Sequence, residues 1–84
     1  MYLHLGKGTV VNTKDIIAIM DLESSSRSVN TRDFLRTAEN RGLVKNVSEE
    51  IPKTFIVCEE CGRSVVYVTN ISSKALSGRA VRYN

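Results

Sequence analysis

Residues 54–58 and 64–69 are two short runs built almost entirely from β-branched and aromatic side chains. A branched Cβ packs well on a pleated surface and loses freedom in a helix, so such runs favour strands. Between them lie Glu59, Glu60, Cys61, Gly62 and Arg63, where the glycine permits the positive φ of a tight reversal. The pair predicts an antiparallel hairpin.

The N-terminal segment repeats the theme. Tyr2 to Leu5 alternates, with Leu3 and Leu5 on one face and Tyr2 and His4 on the other, which is the period of a strand. Gly6, Lys7 and Gly8 make a turn, and Thr9, Val10 and Val11 return as a second strand that Asn12 and Thr13 break. Residues 16–22 are apolar apart from Asp21, which predicts a strand covered on both faces. Ser24, Ser25, Ser26 and Ser28 surround Arg27 in a polar loop over 23–30.

A helix is expected next, capped by Asn30 or Thr31, with Asp33 in its first turn where the helix dipole favours an anion. Phe34, Leu35 and Ala38 form its apolar stripe, and Asn40, Arg41 and Gly42 stop it. Leu43 and Val44 add a short strand, and residues 47–52 form a loop carrying Glu49 and Glu50. Ser72 caps a final helical turn over 73–77 that Gly78 ends, leaving Arg79 and Arg82 as a basic tail. Strands, helix, strands, helix is the order of an α+β fold with a small, mostly antiparallel sheet, one main helix and a short C-terminal helix, in one domain over 1–84.

Size and composition narrow the functional classes. An 84-residue chain supports one core without a deep internal cleft, and chains this small gain buried area by oligomerising. No apolar run approaches the roughly 20 residues that span a bilayer, and residues 1–5 lack the basic and apolar regions of a signal peptide. The expectation is a cytoplasmic protein without a membrane. A net charge of +3 is compatible with a nucleic-acid partner without requiring one. Two cysteines are too few for a disulfide scaffold.

Catalytic chemistry finds little to work with. His4 is the single histidine, and no nucleophile–base arrangement forms around it. Glu49–Glu50 and Glu59–Glu60 are adjacent in sequence, so their side chains diverge rather than form an acid–base couple. The expectation is a binding protein, not an enzyme, with no cofactor and no small-molecule substrate. The turn Gly6–Lys7–Gly8 lacks the spacing of a P-loop, leaving Lys7 as an extra anion contact. Cys58 and Cys61, three apart and followed by Gly62, resemble half of a zinc knuckle. Structural zinc wants four ligands, and His4 is the one other good donor, so a metal site at Cys58 and Cys61 would need a second subunit. The plainer reading is two small residues at a tight turn. Arg32 and Arg36 share a helix face, Arg41 follows at the helix end, and Arg27 and Lys14 complete a possible basic patch.

Taken together, residues 1–6 leading into Val10 and Val11, the stretch 14–19, the strands at 52–57 and 65–68, and the ending at 71–76 resemble the extracellular-matrix regulatory protein family. Within it they are most similar to the RemB (YaaB) type. The resemblance covers nearly the whole chain and rests on order and spacing. It implies a fold similar to the LytTR DNA-binding domain. It also implies a homo-oligomeric, ring-shaped transcriptional regulator of biofilm-forming bacteria that presents a repeated basic surface to double-stranded DNA. The positions that carry arginines in RemA-type chains are here Asp15 and Glu50–Ile51, with Lys14 and Lys53 close by. The expected DNA contacts are Lys7, Lys14, Arg27, Arg32, Arg36 and Lys53. The other reading is an oligomeric scaffold of the same fold that binds a protein and not DNA.

Overall fold

The computed structural model describes residues 1–25 and 27–82; Ser26 of the serine run lies outside the described residues. The elements are β1 (Tyr2–Gly6), β2 (Thr9–Asn12), a single 3-10 turn (Thr13–Asp15), β3 (Ile16–Asp21), α1 (Leu22–Ser25), α2 (Val29–Asn40), β4 (Val44–Asn46), β5 (Thr54–Glu60), β6 (Arg63–Thr69) and α3 (Ser73–Arg82). β1 and β2 form a two-stranded antiparallel sheet. The other strands form a four-stranded sheet in the order β3-β5-β6-β4, antiparallel except for the parallel β4–β6 pair.

The predicted hairpin is the centre of the molecule. β5 and β6 pair in register from Thr54 opposite Thr69 to Glu60 opposite Arg63. Its strands run longer than the sequence predicts, because the reversal takes only two residues, Cys61 and Gly62. Both have positive φ, 52° and 78°, the mirror-image turn whose twist matches that of the strands. Gly62 accepts this freely, whereas Cys61 holds a backbone conformation that side chains disfavour.

Both faces of this hairpin are covered. Phe55, Val57 and Val66 pack with Ala38 of α2 on one face. Ile56, Cys58, Val65 and Tyr67 pack on the other with Leu3, Leu5 and Val11 of the two-stranded sheet and Leu76 of α3. Each fully buried aliphatic or aromatic side chain contributes roughly 1.5–3 kcal/mol. The buried Thr69 hydroxyl ties the sheets together, donating to the Leu5 carbonyl at 2.7 Å.

Several expectations need correction. β3 is not covered along its length: its register against β5 shifts between Ile16 and Ala18, so Ile17 is the extra residue of a bulge and is 60% exposed. The strand ends at Asp21, whose carboxylate accepts the Glu23 N–H at 2.9 Å and starts the helical turn α1 inside the expected loop. Ser28, not Asn30 or Thr31, caps α2, accepting the Thr31 N–H at 3.4 Å. Asp33 therefore lies beyond the first turn. The apolar stripe of α2 is thin, for Ala38 is its one buried residue and Phe34 stays 41% exposed. Its stop is as expected, with Gly42 at φ 71° and its N–H donating to the Glu39 carbonyl at 3.0 Å.

Ser72 caps α3 by accepting the Ala75 N–H at 3.2 Å, but Gly78 does not end the helix. A glycine inside a helix costs only about 1 kcal/mol, and full burial of Leu76 outweighs it. Arg79 thus belongs to α3, where its guanidinium donates to the His4 carbonyl at 3.4 Å, and the Arg82 side chain lies outside the described residues.

Thr54 and Thr69 face each other across the hairpin, both fully buried, with opposite roles. Thr69 is bonded to Leu5 and accepts the Ile71 N–H at 3.3 Å, while the Thr54 hydroxyl has no partner among the described residues. Removing a satisfied buried hydroxyl costs about 1–3 kcal/mol, whereas replacing an unsatisfied one by an apolar isostere is near neutral or stabilising. Urea denaturation is therefore expected to show a large loss for Thr69→Val, and for Thr54→Val no loss or a gain.

Candidate nucleic-acid interface

The six cations expected to meet DNA fall into three places. Lys7 sits at the tip of the β1–β2 turn, and Lys53 precedes β5 with its N–H donating to the Thr69 carbonyl at 2.9 Å. Both lie at the end of the four-stranded sheet marked by Asp21, Thr54 and Thr69. Lys14 lies at the opposite end, in the 3-10 turn before Ile16, which pairs with Cys58. The six residues of β3 separate the two ends by about 20 Å. Arg27 precedes α2, and Arg32 and Arg36 stand one turn apart on its exposed side.

Each place has its own sign balance. Lys7 pairs with Glu49 at 3.8 Å, and Glu50 alongside accepts a hydrogen bond from Asn70. Lys53 lines an open cleft of about 610 Å³ with Asp21, Glu23 and Lys74. This end is therefore mixed, not basic. On α2, Arg36 meets Asp33 at 4.0 Å, an exposed pair worth little in water. From residue 27 to residue 41 four arginines stand against Asp33 and Glu39, which makes this the basic stretch of the surface.

Arg41 does not join Arg32 and Arg36 as the sequence suggests. It lies with Arg63 around an open notch of about 420 Å³ between the end of α2 and the β5–β6 turn. Arg63 and Lys74 were outside the expected site, and each becomes visible only once the topology sets it beside its partner, Arg41 or Lys53.

The cysteines diverge. Cys58 is fully buried among the core side chains of β5, and Cys61 is exposed at the turn. Burial, aided by the charges of Glu60 and Asp15, pushes the Cys58 thiol up to about 11. A buried thiol held neutral is a poor zinc ligand. Nor is there any group of three or more His, Cys, Asp or Glu side chains among the described residues placed to hold a metal ion. Tyr67 is pushed higher still by burial, and its hydroxyl donates to Glu60 at 2.5 Å. His4 stands on the outer face of β1, away from the core.

No family model matches the chain. It is, however, 31% identical over 80 residues to extracellular matrix regulatory protein B of Bacillus subtilis (strain 168), covering 95% of this chain and 90% of that protein. The chain belongs to the extracellular matrix regulatory protein family. Against the arginine positions implied for RemA-type members of the family, Asp15 falls at the Lys14 end of the sheet and Glu50–Ile51 at the Lys7 end. The two departures are thus far apart within one chain. No helix among the described residues is long and apolar enough to cross a membrane.

The cysteine environments give a direct check. At pH 8 a thiol reagent is expected to modify Cys61 in the folded protein at once and Cys58 only on unfolding. The raised Cys58 value also sets a pH dependence. The unfolded thiol loses its proton near 9 while the folded one keeps it until about 11. Stability from this group is therefore complete below pH 9 and falls by about 1.4 kcal/mol per pH unit as pH rises toward 11. Cys58→Ala, compared with the parent over that range, is expected to flatten the slope.

Proposed function

We propose that this protein is a DNA-binding transcriptional regulator of the extracellular matrix or biofilm programme, working in the cytoplasm as a homo-oligomeric ring that contacts duplex phosphates. The reading is carried by the likeness, along 95% of the chain, to a protein named as an extracellular matrix regulatory protein. The surface chemistry agrees with it. Arginine grips phosphate through a planar fork, and α2 carries Arg32 and Arg36 on its solvent side with Arg27 ahead of them. Lys7, Lys14 and Lys53 add contacts from turns. A net charge of +3 is modest for one subunit, but linked copies multiply weak contacts.

Self-association is supported by apolar side chains left on the outside. Tyr2 is 66% and Val10 52% exposed on the outer face of the two-stranded sheet, and Ile17 is 60% exposed at the β3 edge. Specificity in this reading comes from DNA shape and bending more than from base edges. No catalytic step is assigned.

A second reading, an oligomeric scaffold that binds a protein and not DNA, is favoured by one feature. Ile51, 83% exposed, projects beside Glu49 and Glu50 where arginine would suit DNA.

Light scattering with and without a generic duplex at low salt is the test. A closed oligomer that gains DNA mass is expected. Its affinity should fall with salt at a slope of about −0.9 per phosphate neutralised. Arg32→Glu with Arg36→Glu should weaken duplex binding by about tenfold or more with little change in stability. Affinity indifferent to salt would remove the DNA reading. A closed oligomer that gains no DNA mass, and whose double variant loses a protein partner, would favour the scaffold.

A further inference from the structure

The notch between the end of α2 and the β5–β6 turn is outside the expected site, and its geometry is specific. Arg41 directly follows α2, and Gly42 turns the chain toward β4. β4 pairs with β6 only from Val44 opposite Val66 onward, so the start of β6 has no strand beside it on that side. The Val66 N–H donates to the Leu43 carbonyl at 2.9 Å. Alternate N–H groups of a strand point the same way, so the Ser64 N–H is also directed to that side. It meets no backbone acceptor there among the described residues. Gly62 completes the rim, and a Cβ built on it would meet nothing within 4 Å, so the backbone is open to approach.

The electrostatics point the same way. Neither guanidinium, Arg41 or Arg63, has an ion pair or hydrogen bond among the described residues. Arg63 lies opposite Glu60 in the hairpin, the position from which a carboxylate would neutralise it. Glu60 is instead held by the Tyr67 hydroxyl at 2.5 Å. Glu59, opposite Ser64 and exposed to water, and Glu60, opposite Arg63, are the acids that work against an anion here. Arg41 and Arg63, neither ion-paired among the described residues, an outward N–H and Ser64 thus line one notch of about 420 Å³ at the edge of β6, with Ser64 on the α2 face of the strand and Arg63 on the other. That set suits a tetrahedral oxyanion at the strand edge, where the N–H is fixed and the two long arginine side chains have the length to reach from either face.

We propose that this notch is a phosphate-binding site, filled by a backbone phosphate of duplex DNA. The DNA source rests on the function proposed above, while the donor set does not. The site adds a contact at the far end of α2, beyond Arg32 and Arg36, and extends the duplex-facing surface onto the tip of the central hairpin.

The test follows backbone amides by NMR while the whole protein is titrated at low salt, first with inorganic phosphate and then with a short duplex. Both ligands are expected to shift Gly62, Arg63 and Ser64 in the parent and to leave them unmoved in the Arg41→Gln, Arg63→Gln double variant. That variant should bind duplex about tenfold more weakly, with a salt slope shallower by about one to two units. Unmoved amides with both ligands, or a variant with parental duplex affinity and slope, would overturn the site. Shifts with phosphate in a protein that binds no duplex would keep the notch as a small-anion site and remove both its DNA source and the regulator reading. Both substitutions are at exposed positions, so a preserved amide spectrum elsewhere separates lost binding from lost fold.

Discussion

Every other element of this protein is positioned by the pairing of β5 with β6. Residues 54–58 are buried without interruption, and their alternate side chains serve two different cores, one under α2 and one under the two-stranded sheet and α3. A slip of one residue would exchange the two sets, so register is held strongly. The two-residue turn at Cys61 and Gly62 sets that register locally. β3 and β4 then add to the outer edges, and the Thr69 hydroxyl carries the order across to Leu5.

What could be read from the residues was what is decided locally. The hairpin, the alternation of β1, the stop at Gly42 and the cap at Ser72 each rest on a few neighbouring side chains. The misses rest on partners far away in sequence. Ile17 is apolar and sits in an apolar run, yet a bulge is a property of the pairing between β3 and β5. Gly78 is a weak break that the burial of Leu76 overrides. The run of serines offers several caps, and which one is used depends on where Asp21 ends β3 and begins α1. Parallel pairing of β4 follows from α2 carrying the chain back along the sheet, which no local pattern encodes.

The surface was less legible than the core, for the same reason. Charge counts along the chain suggested one patch, but topology divides those residues between two ends of a sheet and the back of a helix. Arg32 and Arg36 were seen together because helical spacing is local. Lys7, Lys53 and Lys74 share an end with Asp21, Glu23, Glu49 and Glu50, so charge there is nearly balanced. Arg41 and Arg63 come together only through the β4 crossover.

α2 is held to the sheet by one buried residue, Ala38, with Leu35 in support, while the central hairpin has two covered faces. Most of its surface therefore has no part in the core. Substitutions there are expected to leave the scaffold nearly untouched, so the outer surface of this helix is free to change while the fold stays constant. In this small domain the residues that specify the structure and those that form the outer surface of α2 are largely different, and selection can act on them separately.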